Sequence, residues 1–240
     1  IFWISSYPKS GNTWLRLILC ALFFTEDGKL DGFDLLKKIP NFDQLEFFEF
    51  IKSVSIKDHN KIFNCNEYSD ESIIAYSKYW IEAQKRIKID KGTLALFKTH
   101  NARVKINSNY YTDSSTTAGF IYIYRDPRDV VASYIKQRWS PSTPEQAADW
   151  YRSIMEHWFS VRAELPYGSY YEYKLEDLVS DTERVVREIC GFASIPYAPS
   201  LLDTDLSESS TGRWKTDFNV SEQQVINTIL GDLIKYLGYD

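Results

Sequence analysis

The chain opens on an unbroken apolar run, Ile1-Phe2-Trp3-Ile4, closed by Ser5 and Ser6 and followed by the turn-forming string Tyr7-Pro8-Lys9-Ser10-Gly11. A short apolar run that ends in a turn reads as a buried strand. Over residues 12–24 the apolar positions Leu15, Ile18, Leu19 and Leu22 recur at helical spacing. Strand, tight loop and helix in that order form the front half of a βαβ unit. Residues 25–70 show neither period, only a cluster of aromatics at Phe42, Phe47, Phe48 and Phe50. Beyond them the pattern predicts a helix over 70–87, a strand over 93–97 and a second apolar strand over 119–124. A helix follows over 126–137, with Asp126 as its N-cap and Pro127 at its first position. After the Ser- and Pro-rich loop 139–143, the start signal Thr143-Pro144-Glu145-Gln146 opens a helix that runs to 164. A strand over 169–175 and helices over 181–193 and 221–237 complete the series.

Strands alternating with helices predict an α/β fold with a central parallel sheet covered by helices on both faces, a three-layer arrangement. In such sheets ligands gather at the carboxyl ends of the strands. Three charged strings stand at predicted strand ends: 7–14, 98–100 and 125–129. The length of 240 residues suits a single domain over 1–240, with 25–90 as a cap or insertion on the substrate side. No internal repeat or low-complexity linker interrupts it.

Composition narrows the function. Hydrophobic residues at 44% and charged residues at 25% suit a packed core. The aromatic share of 16%, with 17 Tyr and 7 Trp, adds stacking surfaces for planar ligands. A net charge of −5 speaks against a nucleic-acid partner, which would show a basic stripe. It leaves room for a small anion, because a few local cations and helix N-termini decide that binding. Cys20, Cys65 and Cys190 are few, odd in number and far apart, so they imply neither a metal cluster nor a disulfide framework. A reducing, cytoplasmic compartment is the expectation. No apolar run reaches membrane-spanning length. The sequence starts at Ile1, already inside a strand-like run, so a preceding segment with a signal or anchor stays open.

The candidate chemistry begins at Tyr7-Pro8-Lys9-Ser10-Gly11-Asn12-Thr13-Trp14. A Gly in a turn that opens a helix exposes unpaired backbone N–H groups, and the helix dipole adds positive potential. Lys9 supplies a cation, and Ser10 and Thr13 supply hydroxyl donors. This is a cradle for a phosphate-like group, although not of Walker type, because the Lys precedes the Gly. An ordinary strand-to-helix turn with a solvated Lys9 is the plainer alternative.

The string resembles the 5′-phosphosulfate loop of the cytosolic and bacterial sulfotransferases that use 3′-phosphoadenosine-5′-phosphosulfate (PAPS). Tyr124-Arg125-Asp126-Pro127-Arg128-Asp129, continuing to Ser133 and Tyr134, resembles that family's 3′-phosphate motif. There Arg125 and Ser133 would hold the 3′-phosphate, the Arg through its planar fork. On the residues alone, Arg125 could instead pair with Asp126 or Asp129, and Ser133 could be a small helix residue. Phe97-Lys98-Thr99-His100 resembles the strand end that supplies the family's catalytic His. Thr211-Gly212-Arg213-Trp214-Lys215 resembles part of a C-terminal motif that closes over the cofactor. Two departures stand out. Ser207, Glu208 and Ser209 occupy the place of the usual Arg-Lys-Gly, and Leu175 that of a Tyr near the adenine. Arg213 or Lys215 would have to replace the lost cations.

The resemblance implies a P-loop-like fold and a sulfuryl transfer from PAPS, leaving 3′-phosphoadenosine-5′-phosphate (PAP), to a hydroxyl or amine of a small-molecule or carbohydrate acceptor. In that reading His100 is the general base. Lys9 stabilises the leaving oxygen, Lys98 neutralises the sulfuryl oxygens, and the backbone from Ser10 to Thr13, with Gly11 and Asn12, holds the 5′-phosphate. Trp14 would stack on the adenine, unless it is simply core. Gly212, Arg213, Trp214, Lys215 and Leu175 would line the nucleotide site. No metal is expected, since no His/Cys/Asp cluster has ligand spacing. His59 and His157 lack a comparable setting; His157, beside Trp158, reads as packing or surface. Two rival readings are a P-loop kinase using ATP and Mg²⁺ on a small molecule, and a nucleotide-binding module without catalysis.

Overall fold

The structure, a computed structural model, describes residues 1–26, 28, 32–42, 44–50, 70–90, 93–100, 105–106, 109–110, 112–138, 140–197 and 211–239. His59, Cys65, Trp139, Ser207, Glu208 and Ser209 lie outside the described residues. The strands are β1 (Phe2–Ser6), β2 (Leu96–Thr99), β3 (Lys105–Ile106), β4 (Asn109–Tyr110), β5 (Gly119–Tyr124) and β6 (Tyr170–Lys174). The helices are α1 (Asn12–Phe24), α2 (Asp70–Arg86), α3 (Pro127–Tyr134), α4 (Pro144–Glu164), α5 (Leu175–Ser180), α6 (Thr182–Ala193), α7 (Trp214–Asp217) and α8 (Val220–Tyr236).

Four strands form one parallel sheet in the order β2-β1-β5-β6. Parallel strands need crossovers, and helices supply them, so both faces of the sheet become buried. The side-chain alternation shows it directly. Ile4 of β1 with Ile121 and Ile123 of β5 enters an apolar layer shared with Leu15, Ile18 and Leu19 of α1 and Val185 and Ile189 of α6. Trp3, Phe120, Tyr122 and Tyr124 enter the opposite layer, with Tyr151, Met155 and Trp158 of α4 and Ile226 and Leu230 of α8. The Tyr122 ring stacks on Trp158 at a centroid distance of 4.3 Å. Burying each such side chain contributes about 1.5–3 kcal/mol.

Helix starts follow the sequence signals. Asp126 accepts the N–H of Arg128, Thr143 that of Gln146, and Asn219 forms a capping box with Glu222. Several boundaries differ from expectation. The second sheet strand runs over Leu96–Thr99 rather than 93–97, because Thr93 is held in a turn by Asp90 and pairing with β1 begins at Leu96. Lys98 and Thr99 therefore lie inside the strand, and His100 is the first residue beyond it. Helix α3 stops at Tyr134, where the N–H of Gln137 bends back to the Tyr134 carbonyl. Leu175 does not end a strand; it opens the short helix α5, whose first turn carries Glu176 and Asp177. The irregular 25–70 stretch contains two 3-10 helices, Phe33–Lys38 and Leu45–Phe48. The antiparallel pair β3 and β4 is too short to show any alternation.

Candidate active site

The loop after β1 folds tightly because two residues adopt left-handed backbone, Lys9 at φ 70° and Gly11 at φ 101°. A lysine in that region carries backbone strain, which tends to be kept where a site needs the geometry. The N–H of Ser10 is used on the Tyr7 carbonyl at 3.3 Å. Asn12 is buried, and its Nδ2 donates to the Ile4 carbonyl at 3.2 Å and Ser6 Oγ at 3.3 Å, stapling the first residue of α1 back onto β1. In the first turn of α1 the Trp14 N–H donates to the Gly11 carbonyl at 3.0 Å, while those of Gly11, Asn12 and Thr13 have no intrahelical acceptor and stand at the positive end of the helix dipole. Ser10, expected as a hydroxyl donor, is closed off from solvent, whereas Thr13 is exposed. Trp14 is half-buried against the layer that contains Leu175, and the Leu175 side chain sits directly on Gly11.

At the end of β2 the buried Lys98 donates from Nζ to Asn41 Oδ1 at 3.2 Å. Residues 40–42 run beside it as a short added strand: Lys98 N–H donates to the Pro40 carbonyl at 2.9 Å and Phe42 N–H to the Lys98 carbonyl at 2.8 Å. Arg16 of α1 fixes the approach to that segment, donating to the carbonyls of Leu36 and Ile39 at 2.9 Å each. His100 places Nδ1 3.0 Å from the Ser6 carbonyl oxygen. A carbonyl only accepts, so Nδ1 carries the hydrogen and Nε2 presents a lone pair. Burial, and then the nearby Lys98, push the imidazolium pKa down to about 3, with Arg16 and Lys9 acting the same way. The ring is thus neutral, the form a general base requires.

At the end of β5 Arg125 is buried and donates from Nη1 to the Lys9 carbonyl at 3.0 Å. Its Nη2 lies 3.9 Å from Asp129 Oδ2. Asp126 pairs instead with Arg128, at 2.9 Å to Nε and 2.8 Å to Nη2. Ser133 lies two helical turns along α3 and is partly exposed. The C-terminal string docks on the same helix: Asp129 accepts the N–H of Gly212 at 2.6 Å and of Trp214 at 3.0 Å. The Arg128 guanidinium lies 4.2 Å over the Trp214 ring. Arg213 is turned toward Asp217 at 3.6 Å, and Lys215 lies 5.6 Å from the Trp214 ring.

The fold thus gathers Lys9, Gly11, Asn12, Lys98, His100 and Arg125 around one loop at the carboxyl ends of β1, β2 and β5. Gly212 and Trp214 join it through α3. Sequence reasoning missed Asn41 and the Ser6 carbonyl, whose contacts are made only by folding. It also gave Asp129 no role of its own, although an Asp in the first turn of a helix is itself a visible signal. A cavity of about 550 Å³, lined by Thr112, Asp113, Phe120 and Leu165 among others, opens at the amino-terminal end of β5 and carries none of these groups. The candidate site lies at the other end of the sheet. Among the described residues no cluster of His, Cys, Asp or Glu could hold a metal ion, and no helix is long and apolar enough to cross a membrane.

Comparison with known proteins assigns a family and a shared fold. The family described as "Sulfotransferase domain" matches residues 2–228. A 3-alpha-hydroxysteroid sulfotransferase of Cavia porcellus is 25% identical over 221 residues, 85% of this chain and 62% of the relative. The chain therefore spans less than two thirds of that relative's length. Among solved structures, the sulfotransferase domain from the curacin biosynthetic pathway superposes with a TM-score of 0.58 at 15% identity, covering 100% of this chain and 98% of that one. Retinol dehydratase, in complex with androsterone and inactive cofactor PAP, gives a TM-score of 0.57 at 15% identity, covering 100% and 81%. At these identities the structures establish a shared fold.

Proposed function

This chain belongs to the sulfotransferase domain family, and from that premise we propose that it moves a sulfuryl group from PAPS to a hydroxyl or amine of a small-molecule or carbohydrate acceptor. One observation carries the reading: two contacts tie three strand ends into a single site. His100 Nδ1 meets the Ser6 carbonyl at 3.0 Å and Arg125 Nη1 meets the Lys9 carbonyl at 3.0 Å, so base, lysine and arginine surround one anion loop.

The donor set fits the nucleotide. Lys9, Thr13 and the N–H groups opening α1 suit a 5′-phosphosulfate, and Arg125 with Ser133 suits a 3′-phosphate. PAPS, when bound, supplies the activated sulfuryl group. His100 Nε2 takes the proton from the acceptor as its oxygen or nitrogen bonds to sulfur. Lys9 neutralises the phosphate oxygen released as the S–O bond breaks, and Lys98, held by Asn41, faces the charge on the sulfuryl oxygens. Trp14 offers apolar surface to the adenine, whereas Leu175, expected at the nucleotide, is buried beneath Gly11 and supports the loop instead; 25–90 forms the acceptor side. Phe42, Phe48 and Trp80 of that region are buried and pack on one another, and Phe42 also packs on Trp3 of β1 and Phe97 of β2, so they extend the main core.

The kinase alternative needs a carboxylate to hold Mg²⁺ beside the loop. Asp126 is taken by Arg128, and Asp129 by the N–H groups of Gly212 and Trp214. Calorimetric titration with PAP, against ATP plus Mg²⁺, tests the proposal. Metal-independent PAP binding is expected, followed by sulfation of an acceptor panel with PAPS. A preference for ATP with Mg²⁺ would transfer the site to the kinase reading.

A further inference from the structure

We infer that Asp129 is a positioning residue that couples the arginine proposed for the 3′-phosphate to docking of the C-terminal loop; the inference rests on the PAPS reading above. Asp129 sits in the first turn of α3, four residues after Arg125, and is 1% exposed. Both of its oxygens are engaged: Oδ2 by the N–H of Gly212 at 2.6 Å and Oδ1 by the N–H of Trp214 at 3.0 Å. The Arg125 Nη2 approaches the same Oδ2 at 3.9 Å. Arg125 in turn donates to the Lys9 carbonyl, so one continuous chain of polar contacts runs from the phosphosulfate loop through Arg125 and Asp129 to the C-terminal loop.

A carboxylate suits this place. It is acceptor-only, it faces two converging N–H donors, and it lies where the helix dipole favours negative charge. The loop is shaped to meet it: Gly212 has φ 75°, which aims its N–H at α3, and the Trp214 ring lies against the Arg128 guanidinium. With the usual Arg-Lys-Gly replaced by Ser207-Glu208-Ser209, recognition of the 3′-phosphate falls more heavily on Arg125. Its placement then depends on the groups that fix it.

The experiment compares the affinities of PAP and adenosine 5′-phosphate, which differ only in the 3′-phosphate, in the wild type, Asp129→Asn and Gly212→Pro. Asn turns an amide donor toward one of the two N–H groups. Pro removes the Gly212 donor and, locked near φ of about −65°, also gives up the left-handed turn at 212, both without changing any charge. Both variants are expected to lose on the order of tenfold or more in PAP affinity, the scale of a hydrogen bond to a charged group. Affinity for adenosine 5′-phosphate should stay within about twofold, and amide exchange over 211–218 should rise. An unchanged PAP preference in both folded variants overturns the coupling, as does a gain in PAP affinity in Asp129→Asn, which would make Asp129 merely a repelling charge. A wild type that binds both nucleotides equally would instead remove the PAPS reading, and the coupling with it.

Discussion

His100 and Ser6 meet across two adjacent strands, the imidazole Nδ1 lying 3.0 Å from the carbonyl at the end of β1. The contact orients the ring and fixes its tautomer, which makes Nε2 the basic nitrogen. Removing a general base of this kind costs about two to four orders of magnitude in rate. His100→Ala and His100→Gln should therefore lower kcat by roughly 10²- to 10⁴-fold while PAP affinity, measured by calorimetry, stays near that of the wild type. Normal turnover in either folded variant would rule out the base role.

The same residue makes stability pH-dependent. In the folded chain burial, Lys98, Arg16 and Lys9 hold its pKa down to about 3, against about 6.5 for a free imidazole. Between those values the unfolded chain binds a proton that the folded chain refuses, so stability rises with pH across that window. The contribution is complete above about pH 6.5 and is lost as pH falls toward 3. Thermal unfolding followed from pH 7 to 4 should show a shallower decline in His100→Gln than in the wild type. Parallel declines would mean that His100 titrates normally in the folded chain.

Much of this site was legible because its signals are local. The run at 1–6, the turn at 7–11, the apolar strand over Gly119–Tyr124 and the Asp126-Pro127 helix start each declare themselves within a few residues. What escaped depends on distant partners. The end of β2 is set by pairing with β1, a contact spanning more than ninety residues, so its bounds slipped toward the apolar residues and away from Lys98. Asn41 meets Lys98 because Arg16 pins the chain at Leu36 and Ile39 and residues 40–42 pair with the Lys98 backbone. Trp14 and Leu175 could not be sorted into core and ligand surface, since each is apolar; only the fold shows Leu175 buried under Gly11 and Trp14 half-buried.

Asn41 gives a sharper test than Lys98 itself. Its Oδ1 holds the Lys98 ammonium at 3.2 Å. Asn41→Ala removes that contact, and losing a hydrogen bond to a charged group is worth on the order of tenfold in rate or more. Asn41→Asp keeps an oxygen in reach and should retain more activity than the Ala variant. In both, PAP affinity is expected within about twofold of the wild type, because Lys98 is assigned to the transferring group rather than to the nucleotide phosphates. Steady-state kcat and calorimetric Kd, measured side by side, check this. A wild-type kcat in Asn41→Ala would remove Asn41 from the mechanism.

Gly11 joins the loop's conformation to the packing beneath it. Its φ of 101° disfavours any side chain, and a Cβ there would stand 2.5 Å from Leu175 Cδ1 and 2.9 Å from Cδ2. Two separate costs follow for Gly11→Ala: backbone strain of about 1–3 kcal/mol and overpacking of about 1–3 kcal/mol. Only the second involves Leu175. A double-mutant cycle with Leu175→Ala separates them, because the shortened side chain vacates the space the new methyl needs. In urea unfolding the double variant should be more stable than the sum of the single losses implies, by about the overpacking share. The strain share should remain, and the loop should stay distorted, with weaker PAP binding than Leu175→Ala alone. Strict additivity would show that the backbone, and not Leu175, is what requires glycine at this position.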